Sequence, residues 1–257
     1  MDKTGSYTFL AEPFHCDASG HLFVGHLGNH LLNAADFHST DRGFGMKYLN
    51  TISKTWVLSR LAIEMEQMPG QYDRFKVETW VESAMRFFTN RNFRVVAENA
   101  DGSETLYGYG RSIWAMIDTA TRQPADILAI NDGAINQWVQ PDKTCPIERG
   151  GRVKMGSDVP LVRTIDTNYS DVDINGHVNS VKYIEHVLDL FPLEWYREHP
   201  LKRFDIAYVA EAHQGDRLNF YQEQDADDGL SYKIRITKTV ADGGGEVETC
   251  RSKVKFV

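Results

Sequence analysis

The stretch GHVNSVKYIEHVLDLF, residues 176 to 191, carries apolar side chains at steps of three and four residues. This spacing is typical of a helix that buries one face. The residues on that face are Val178, Val181, Ile184, Leu188 and Phe191. Pro192 follows and predicts the end of the helix, because proline has no N–H to donate to the preceding turn.

A similar stretch, GHLGNHLLNAADFH, lies at residues 25 to 38, and its Gly-His pair stands 151 residues before the later one. Each helical stretch is followed by runs that alternate apolar and polar residues, as half-buried antiparallel strands do. The runs cover residues 55–65, 74–83, 88–99 and 105–118 in the first half, and 203–212, 217–224, 230–239 and 247–257 in the second. One helix followed by four strands, found twice, predicts an α+β unit duplicated in tandem, each helix being wrapped by its sheet.

The domain boundaries follow from where this periodicity stops. Residues 136–157 lack a regular pattern and hold Pro141, Pro146 and two adjacent glycines, which is typical of a connection between domains. We therefore expect an N-terminal domain over residues 1–135 and a C-terminal domain over residues 158–257.

Composition narrows the class of protein. A net charge of −8 argues against a nucleic-acid binder, which needs a positive field. No apolar run approaches the length needed to cross a membrane, and the first residues lack the pattern of a signal peptide. The three cysteines are widely spaced, which predicts reduced thiols in a cytoplasmic protein, with no metal and no cofactor.

Polar side chains precede the second helical stretch in the segment SDVDINGHVNSVKYIEH, residues 170 to 186. Asp173, Asn175 and His177 stand two residues apart, so an extended chain would point them to one side. We expect the helix to begin near Gly176, which would place these groups at its positive end.

These three groups suit the hydrolysis of a thioester. A carboxylate can activate water or attack the carbonyl, an amide can hold the oxyanion, and an imidazole can protonate the thiolate that leaves. From spacing alone a structural interpretation is also open, because Asp is a common helix cap, Asn-Gly a common turn, and a single His is often structural.

The first half gives a comparison at the same 151-residue offset. Leu22, Val24 and His26 stand there in place of Asp173, Asn175 and His177. The carboxylate and the amide are therefore expected to be missing from the first half, which would leave it free to form an apolar pocket.

The segment YSDVDINGHVNSVKYIEHVLDLFP resembles the signature of the acyl-acyl carrier protein thioesterases of plants and bacteria. The first half is similar to the family as well, in Trp56-Val57 and in Ser-Ile-Trp-Ala-Met at residues 112 to 116. The resemblance implies two tandem hot-dog domains and hydrolysis of acyl-acyl carrier protein to a free fatty acid. It also implies that Asp173, Asn175 and His177 are catalytic, together with Glu211 at the end of the run 203–212.

The sequence departs from the family's pattern after that glutamate. Many plant relatives have cysteine next, whereas this chain has Ala212. A cysteine–histidine mechanism at this position is therefore excluded, and carboxylate chemistry remains.

The resemblance also implies an acyl-chain pocket in the first domain and acyl carrier protein as the partner. The pocket candidates are Leu27, Leu31, Trp56, Leu58 and Met65, with Trp80 and Trp114 nearby. Because the carrier is acidic, docking needs a basic patch. Its candidates are Arg149, Arg152, Lys154, Lys182, Arg197, Lys202 and Arg203. A homodimer is left open.

Three alternatives share parts of this pattern. A hot-dog thioesterase acting on coenzyme A esters would use the same chemistry, but the acyl chain would be attached to coenzyme A instead of a carrier protein. A hot-dog dehydratase would pair a histidine with one carboxylate across an interface, which fits the clustered Asn175 less well. A non-catalytic acyl-binding module would have lost polar site residues, and all four are present here.

Overall fold

The computed structural model describes residues 2–239 and 245–257. The chain divides into two compact units, unit 1 (Met1–Arg149) and unit 2 (Gly150–Val257). In each unit the described residues place a helix against an antiparallel sheet, so the predicted α+β class with two tandem hot-dog domains is confirmed. Part of the expected connection packs on unit 1, since the Trp80 indole N–H donates to the Lys143 carbonyl oxygen at 2.8 Å. The finer division at residues 135 and 158 stays a prediction.

The described residues of unit 1 form one long helix, one short helix and five strands that pair with one another. The helices are α1 (Val24–Asp41) and the short α2 (Met46–Leu49). The strands are β1 (Gly5–Leu10), β2 (Lys54–Met65), β3 (Arg74–Ala84), β4 (Phe88–Glu98) and β5 (Glu104–Asp118). They pair antiparallel in the order β1-β3-β4-β5-β2.

Helix α1 buries its apolar face against this sheet. Leu27, Leu31 and Ala34 have no exposed surface, as their spacing predicts. The sheet makes room for the helix at Gly110 in β5, where a Cβ atom would stand 3.3 Å from Leu31 Cδ1. A glycine at this point therefore allows the helix and the sheet to approach closely.

Unit 2 repeats this arrangement with a shorter helix. Its helices are α3 (Ser180–Leu188) and α4 (Leu193–Glu198). Its strands are β6 (Leu161–Asp166), β7 (Leu201–Tyr208), β8 (Arg217–Asp225), β9 (Asp228–Thr239) and β10 (Glu246–Phe256). The strands pair antiparallel in the order β7-β10-β9-β8-β6. Val181, Ile184 and Val187 of α3 are buried, and the Tyr208 hydroxyl donates to the Ser180 carbonyl at 2.8 Å.

The predicted start of the second helix is wrong. Gly176 has φ +79°, a left-handed conformation that no residue inside a helix adopts. The helix begins at Ser180, because the Asn179 side chain accepts a hydrogen bond from the Val181 N–H at 2.9 Å and caps it there.

Strand boundaries agree with the alternating pattern except at residues 203–212. Strand β7 ends at Tyr208, because the Thr249 carbonyl accepts from both Val209 N–H and Ala210 N–H, and the chain then leaves the ladder. Glu211 therefore lies in a loop and not at the end of a strand. Strands β1 and β6 were not predicted, since each is only six residues long.

Across the described ranges of the chain, every helix is too short or too polar to cross a lipid bilayer.

A buried histidine on α1 ties the N-terminal segment to the helix. His38 has no exposed surface, and its Nε2 lies 2.9 Å from the Lys3 carbonyl oxygen. Burial, together with the nearby Arg91 and Arg42 cations, lowers the pKa of His38 to about 3. His38 is therefore neutral in the folded protein at every pH at which the chain is expected to work.

We expect this histidine to make stability depend on pH. In the unfolded chain its pKa returns to about 6.5, so its contribution is present above that pH and is lost as the pH falls. Between pH 7 and pH 5 the wild-type should lose about 2 kcal/mol more unfolding free energy than His38→Gln. Urea denaturation of both proteins at the two pH values measures the difference, and parallel losses would contradict a neutral buried His38.

Candidate active site

The segment from Asp173 to His177 forms a tight turn before α3. Asp173 N–H donates to the His177 carbonyl at 3.0 Å, and Gly176 N–H donates to the Asp173 carbonyl at 3.0 Å. An isolated bridge between Val172 and Val178 closes the turn. The left-handed Gly176 allows the chain to reverse here, which explains a glycine at this position.

Asp173 and Asn175 meet inside this turn. The Asp173 carboxylate accepts from the Asn175 backbone N–H at 2.8 Å and from its side-chain amide at 3.4 Å. The expected extended lead-in at a helix terminus is wrong, because the chain turns here and the Val181 N–H at the helix start is taken by Asn179. The turn, and not the helix, brings the carboxylate and the amide together.

His177 faces Glu211 from the neighbouring loop. The Val178 N–H donates to the Ala212 carbonyl at 2.7 Å, which joins the turn to the loop after β7. His177 Nε2 then lies 3.3 Å from Glu211 Oε2, with the two side chains 24% and 36% exposed. A carboxylate in this position orients an imidazole.

A second histidine, absent from the sequence-based prediction, completes the cluster. The rings of His177 and His213 are 5.0 Å apart and edge-on. Asp216 accepts a hydrogen bond from the His213 N–H at 2.9 Å, which fixes this loop. Potential ligand atoms of His177, Glu211 and His213 all lie within 4.8 Å of one another, so these residues could hold a metal ion. His213 stands two residues after Glu211, which was the available signal.

A histidine–aspartate contact lies next to the turn. His186 Nε2 on α3 lies 3.3 Å from Asp171 Oδ1, and the Asp171 carboxylate also accepts from the Asn168 N–H at 2.7 Å. Burial lowers the pKa of His186, although Asp171 opposes this shift. The Asp171 backbone carbonyl accepts from the Asn179 N–H at 2.8 Å, so this pair connects the turn to the helix cap.

The thiol of unit 2 does not belong to this cluster. Cys250 lies on β10 with no exposed surface, and burial raises the pKa of its thiol. Cys250 is therefore held as a neutral thiol, which is a poor nucleophile.

Unit 1 contains a turn with the same backbone hydrogen bonds. Asp17 N–H donates to the His21 carbonyl at 2.8 Å, and Gly20 N–H donates to the Asp17 carbonyl at 3.0 Å. The Asp17 carboxylate accepts from the Ser19 N–H at 2.8 Å and from its hydroxyl at 2.6 Å, and Gly20 has φ +79°.

The comparison at a 151-residue offset is therefore wrong. The Gly-His pair that corresponds to 176–177 is 20–21, and the shared pattern is Asp-x-(Ser/Asn)-Gly-His. Unit 1 keeps a carboxylate and an imidazole, Asp17 and His21, and has Ser19 in place of the amide.

The two units differ instead in the second loop. In unit 1, Leu22 N–H donates to the Pro69 carbonyl at 2.9 Å, just as Val178 donates to Ala212 in unit 2. The residues that flank this proline are Met68 and Gly70, where unit 2 has Glu211 and His213. Unit 1 thus lacks the carboxylate that faces the imidazole.

The pocket candidates lie in the interior of unit 1. Leu27, Leu31, Leu58 and Met65 are buried. The Trp56 indole N–H donates to the Phe44 carbonyl at 2.9 Å, and its ring packs on a separate cluster with Leu49 and Val81. Their role in binding an acyl chain stays a prediction.

Two family models match the chain in order. The acyl-ACP thioesterase N-terminal domain matches residues 6–130, and the acyl-ACP thioesterase C-terminal domain matches residues 157–256.

Solved structures agree with this match. An acyl-ACP thioesterase from Bacteroides thetaiotaomicron is 49% identical, with a TM-score of 0.87, and the similarity covers 99% of this chain and 98% of that one. The 12:0-ACP thioesterase from Umbellularia californica is 20% identical, with a TM-score of 0.79 over 99% of this chain and 94% of its own, and supports the fold alone.

Curated plant proteins are more distant. The chloroplastic oleoyl-acyl carrier protein thioesterase of Coriandrum sativum is 25% identical over 227 residues, which cover 84% of this chain and 58% of that protein. The chloroplastic palmitoyl-acyl carrier protein thioesterase of Gossypium hirsutum is 27% identical over 218 residues, covering 80% and 51%. The chain thus spans little more than half the length of these relatives.

Proposed function

Because the chain belongs to the acyl-ACP thioesterase family, we propose that it hydrolyses the thioester of a fatty acyl-acyl carrier protein. The products would be a free fatty acid and the holo-carrier. The contact between His177 and Glu211 carries this proposal, because it supplies an oriented imidazole at the end of the turn that holds the Asp173–Asn175 pair.

In the proposed reaction, Glu211, His177 and Asn175 have different roles. Glu211 accepts the Nε2 proton of His177 in a hydrogen bond, which leaves the Nδ1 lone pair to take a proton from water. The water oxygen bonds to the thioester carbonyl carbon, and an N–H of the Asn175 amide stabilises the oxyanion. The C–S bond then breaks, and His177 returns the proton to the thiolate.

Asp173 admits two roles in this scheme. It holds Asn175 through two hydrogen bonds, and it could position water from there. Its carboxylate could instead attack the carbonyl and expel the thiolate, which His177 protonates, to form an anhydride that water opens at the Asp173 carbonyl carbon. A single turnover in ¹⁸O-labelled water separates these routes, since only the second leaves label in the Asp173 carboxylate.

The acyl chain is proposed to occupy the interior of unit 1. Leu27 and Leu31 on α1 and Leu58 and Met65 on β2 supply apolar surface between helix and sheet. Such surface binds a hydrocarbon chain by removing it from water.

Acyl carrier protein is the proposed partner, and basic residues would guide it. Several candidates are already engaged, since Arg203 forms two hydrogen bonds to Asp205 and Lys182 lies 2.7 Å from Glu185. Arg152, Lys154 and Arg197 are exposed, which makes them the stronger docking candidates. The cytoplasmic location and a homodimer stay predictions.

The carboxylate of the turn gives the first test. Asp173→Asn should lower kcat/KM by about 10²- to 10⁴-fold, the usual loss when an acid–base group is removed, with little change in stability. Asp17→Asn is the matched control in the equivalent turn of unit 1 and should leave turnover unchanged. Initial rates are measured on one acyl group attached either to carrier protein or to coenzyme A. They give the loss of kcat/KM in each variant and show which of the two carriers the enzyme prefers.

Three outcomes would count against this assignment. Near-normal turnover by Asp173→Asn would remove the carboxylate from the mechanism, and an equal loss in Asp17→Asn would make its effect structural. A higher kcat/KM on the coenzyme A ester would favour the acyl-CoA thioesterase alternative.

The pocket is tested by shortening one side chain. Leu31→Ala removes three carbons from the interior of unit 1, so we expect longer acyl chains among the products when the enzyme competes for carrier substrates of graded length. Leu218→Ala removes the same volume from the core of unit 2 and should leave the chain-length distribution unchanged. Each variant should lose about 2–5 kcal/mol of stability. Identical product distributions in both variants would place the acyl chain elsewhere.

A further inference from the structure

We propose that His177, Glu211 and His213 form a binding site for a divalent transition-metal ion of the zinc class, and that the bound ion inhibits the enzyme. The inhibition rests on the proposed thioester hydrolysis, whereas the binding of the ion does not. The site lies wholly within unit 2, on the turn before α3 and the loop after β7.

The donor set suits such an ion. Two imidazole nitrogens and one carboxylate oxygen are zinc ligands in many proteins, with bonds of about 2.0–2.2 Å. Tetrahedral ligands at that bond length stand about 3.3–3.6 Å apart. His177 Nε2 and Glu211 Oε2 already lie 3.3 Å apart. All three donor atoms lie within 4.8 Å of one another, so the remaining approach is small.

His213 can make this approach because its side chain is 54% exposed. Rotation of an exposed side chain costs little. The hydrogen bond between Val178 and Ala212 fixes the backbone next to His177 and Glu211, whose Nε2 and Oε2 atoms already lie 3.3 Å apart. Two of the three ligands, His177 and Glu211, are therefore already in place, and His213 rotates to bind the ion.

A carboxylate stands behind the exposed ligand. Asp216 Oδ2 lies 3.9 Å from His213 Nδ1 and accepts the His213 backbone N–H at 2.9 Å. Carboxylates behind metal-binding histidines orient the ring. Lys238 Nζ, 3.2 Å from Asp216 Oδ2, balances part of this charge.

Inhibition follows from the atoms that the ion would occupy. An ion on His177 Nε2 requires the other tautomer of the neutral ring, so the Nε2 proton leaves the Glu211 hydrogen bond for solvent and Nδ1 takes up one proton from solvent. That proton removes the lone pair that would accept a proton from water. The ion also withdraws Glu211 from the imidazole, so the reaction loses both groups at once.

Unit 1 provides an internal comparison. His21 occupies the same position in its own turn, yet Met68 and Gly70 replace the other two ligands. Its ring nitrogen Nδ1 lies 2.9 Å from the Ser19 hydroxyl. The same histidine substitution in the two units therefore separates an effect of the site from an effect of the turn.

The experiment uses the full chain, freed of metal with a chelator that is then removed. Co²⁺ is titrated and its visible absorption recorded, and Zn²⁺ is added to initial-rate assays on acyl-carrier substrate. We expect one tetrahedral Co²⁺ per chain and saturable inhibition by Zn²⁺. His213→Gln should weaken both, by at least the roughly 10- to 100-fold that loss of an outer-shell partner causes. His21→Gln should leave both unchanged, and each rate is compared with the same variant without metal.

Several results would overturn the inference. These are the absence of saturable Co²⁺ binding, equal Zn²⁺ inhibition in wild-type and His213→Gln, and a thiolate-to-cobalt absorption band that places the ion on a cysteine. A chelator-treated enzyme that Zn²⁺ reactivates would make the ion a cofactor and also contradict it. If the wild-type hydrolyses no acyl ester, the proposed function fails, while the Co²⁺ titration still decides whether the site exists.

Discussion

The hydrogen bond from the Val178 N–H to the Ala212 carbonyl, 2.7 Å long, joins the turn before α3 to the loop after β7. Its two partners are the immediate neighbours of His177 and Glu211 in the chain. This bond therefore fixes the backbone from which the imidazole and the carboxylate extend, and His177 Nε2 lies 3.3 Å from Glu211 Oε2. The remaining site groups depend on the same two loops, since Asp173 and Asn175 lie in the first and His213 in the second.

Unit 1 shows that this backbone arrangement does not by itself make a site. The Leu22 N–H donates to the Pro69 carbonyl, and the turn from Asp17 to His21 repeats the hydrogen bonds of its counterpart. What distinguishes unit 2 is the pair of side chains on the second loop, Glu211 and His213, together with Asn175 where unit 1 has Ser19. The duplicated fold thus supplies a position for polar groups, and our proposal assigns chemistry only where those groups meet.

Much of the fold could be predicted from periodicity. Alternation predicted the central strands because each presents one face to a core, and the residues around Leu31 predicted the helix for the same reason. The predicted boundaries were wrong where single residues interrupt the pattern. Gly176 adopts φ +79°, so the helix begins at Ser180, four residues later than predicted, and the Thr249 carbonyl accepts hydrogen bonds from two N–H groups where β7 stops. Such interactions depend on residues distant in the sequence, which a local pattern cannot contain.

The site was predictable only in part for the same reason. The spacing of Asp173, Asn175 and His177 indicated a cluster, and the resemblance indicated Glu211. The correspondence with Asp17 and His21 was missed because a two-residue match, Gly-His, set the wrong offset. His213 was missed because its approach to His177 comes from the joining of two loops, which its two-residue spacing from Glu211 does not show by itself.

The central claim is that His177 and Glu211 act as one unit. A double-mutant cycle measures this directly, with kcat/KM determined for wild-type, His177→Ala, Glu211→Gln and the double variant. If Glu211 acts through His177, the double variant should be no slower than His177→Ala, because the carboxylate has nothing left to orient. Losses that multiply in the double variant would show that the two groups act independently and would contradict the account.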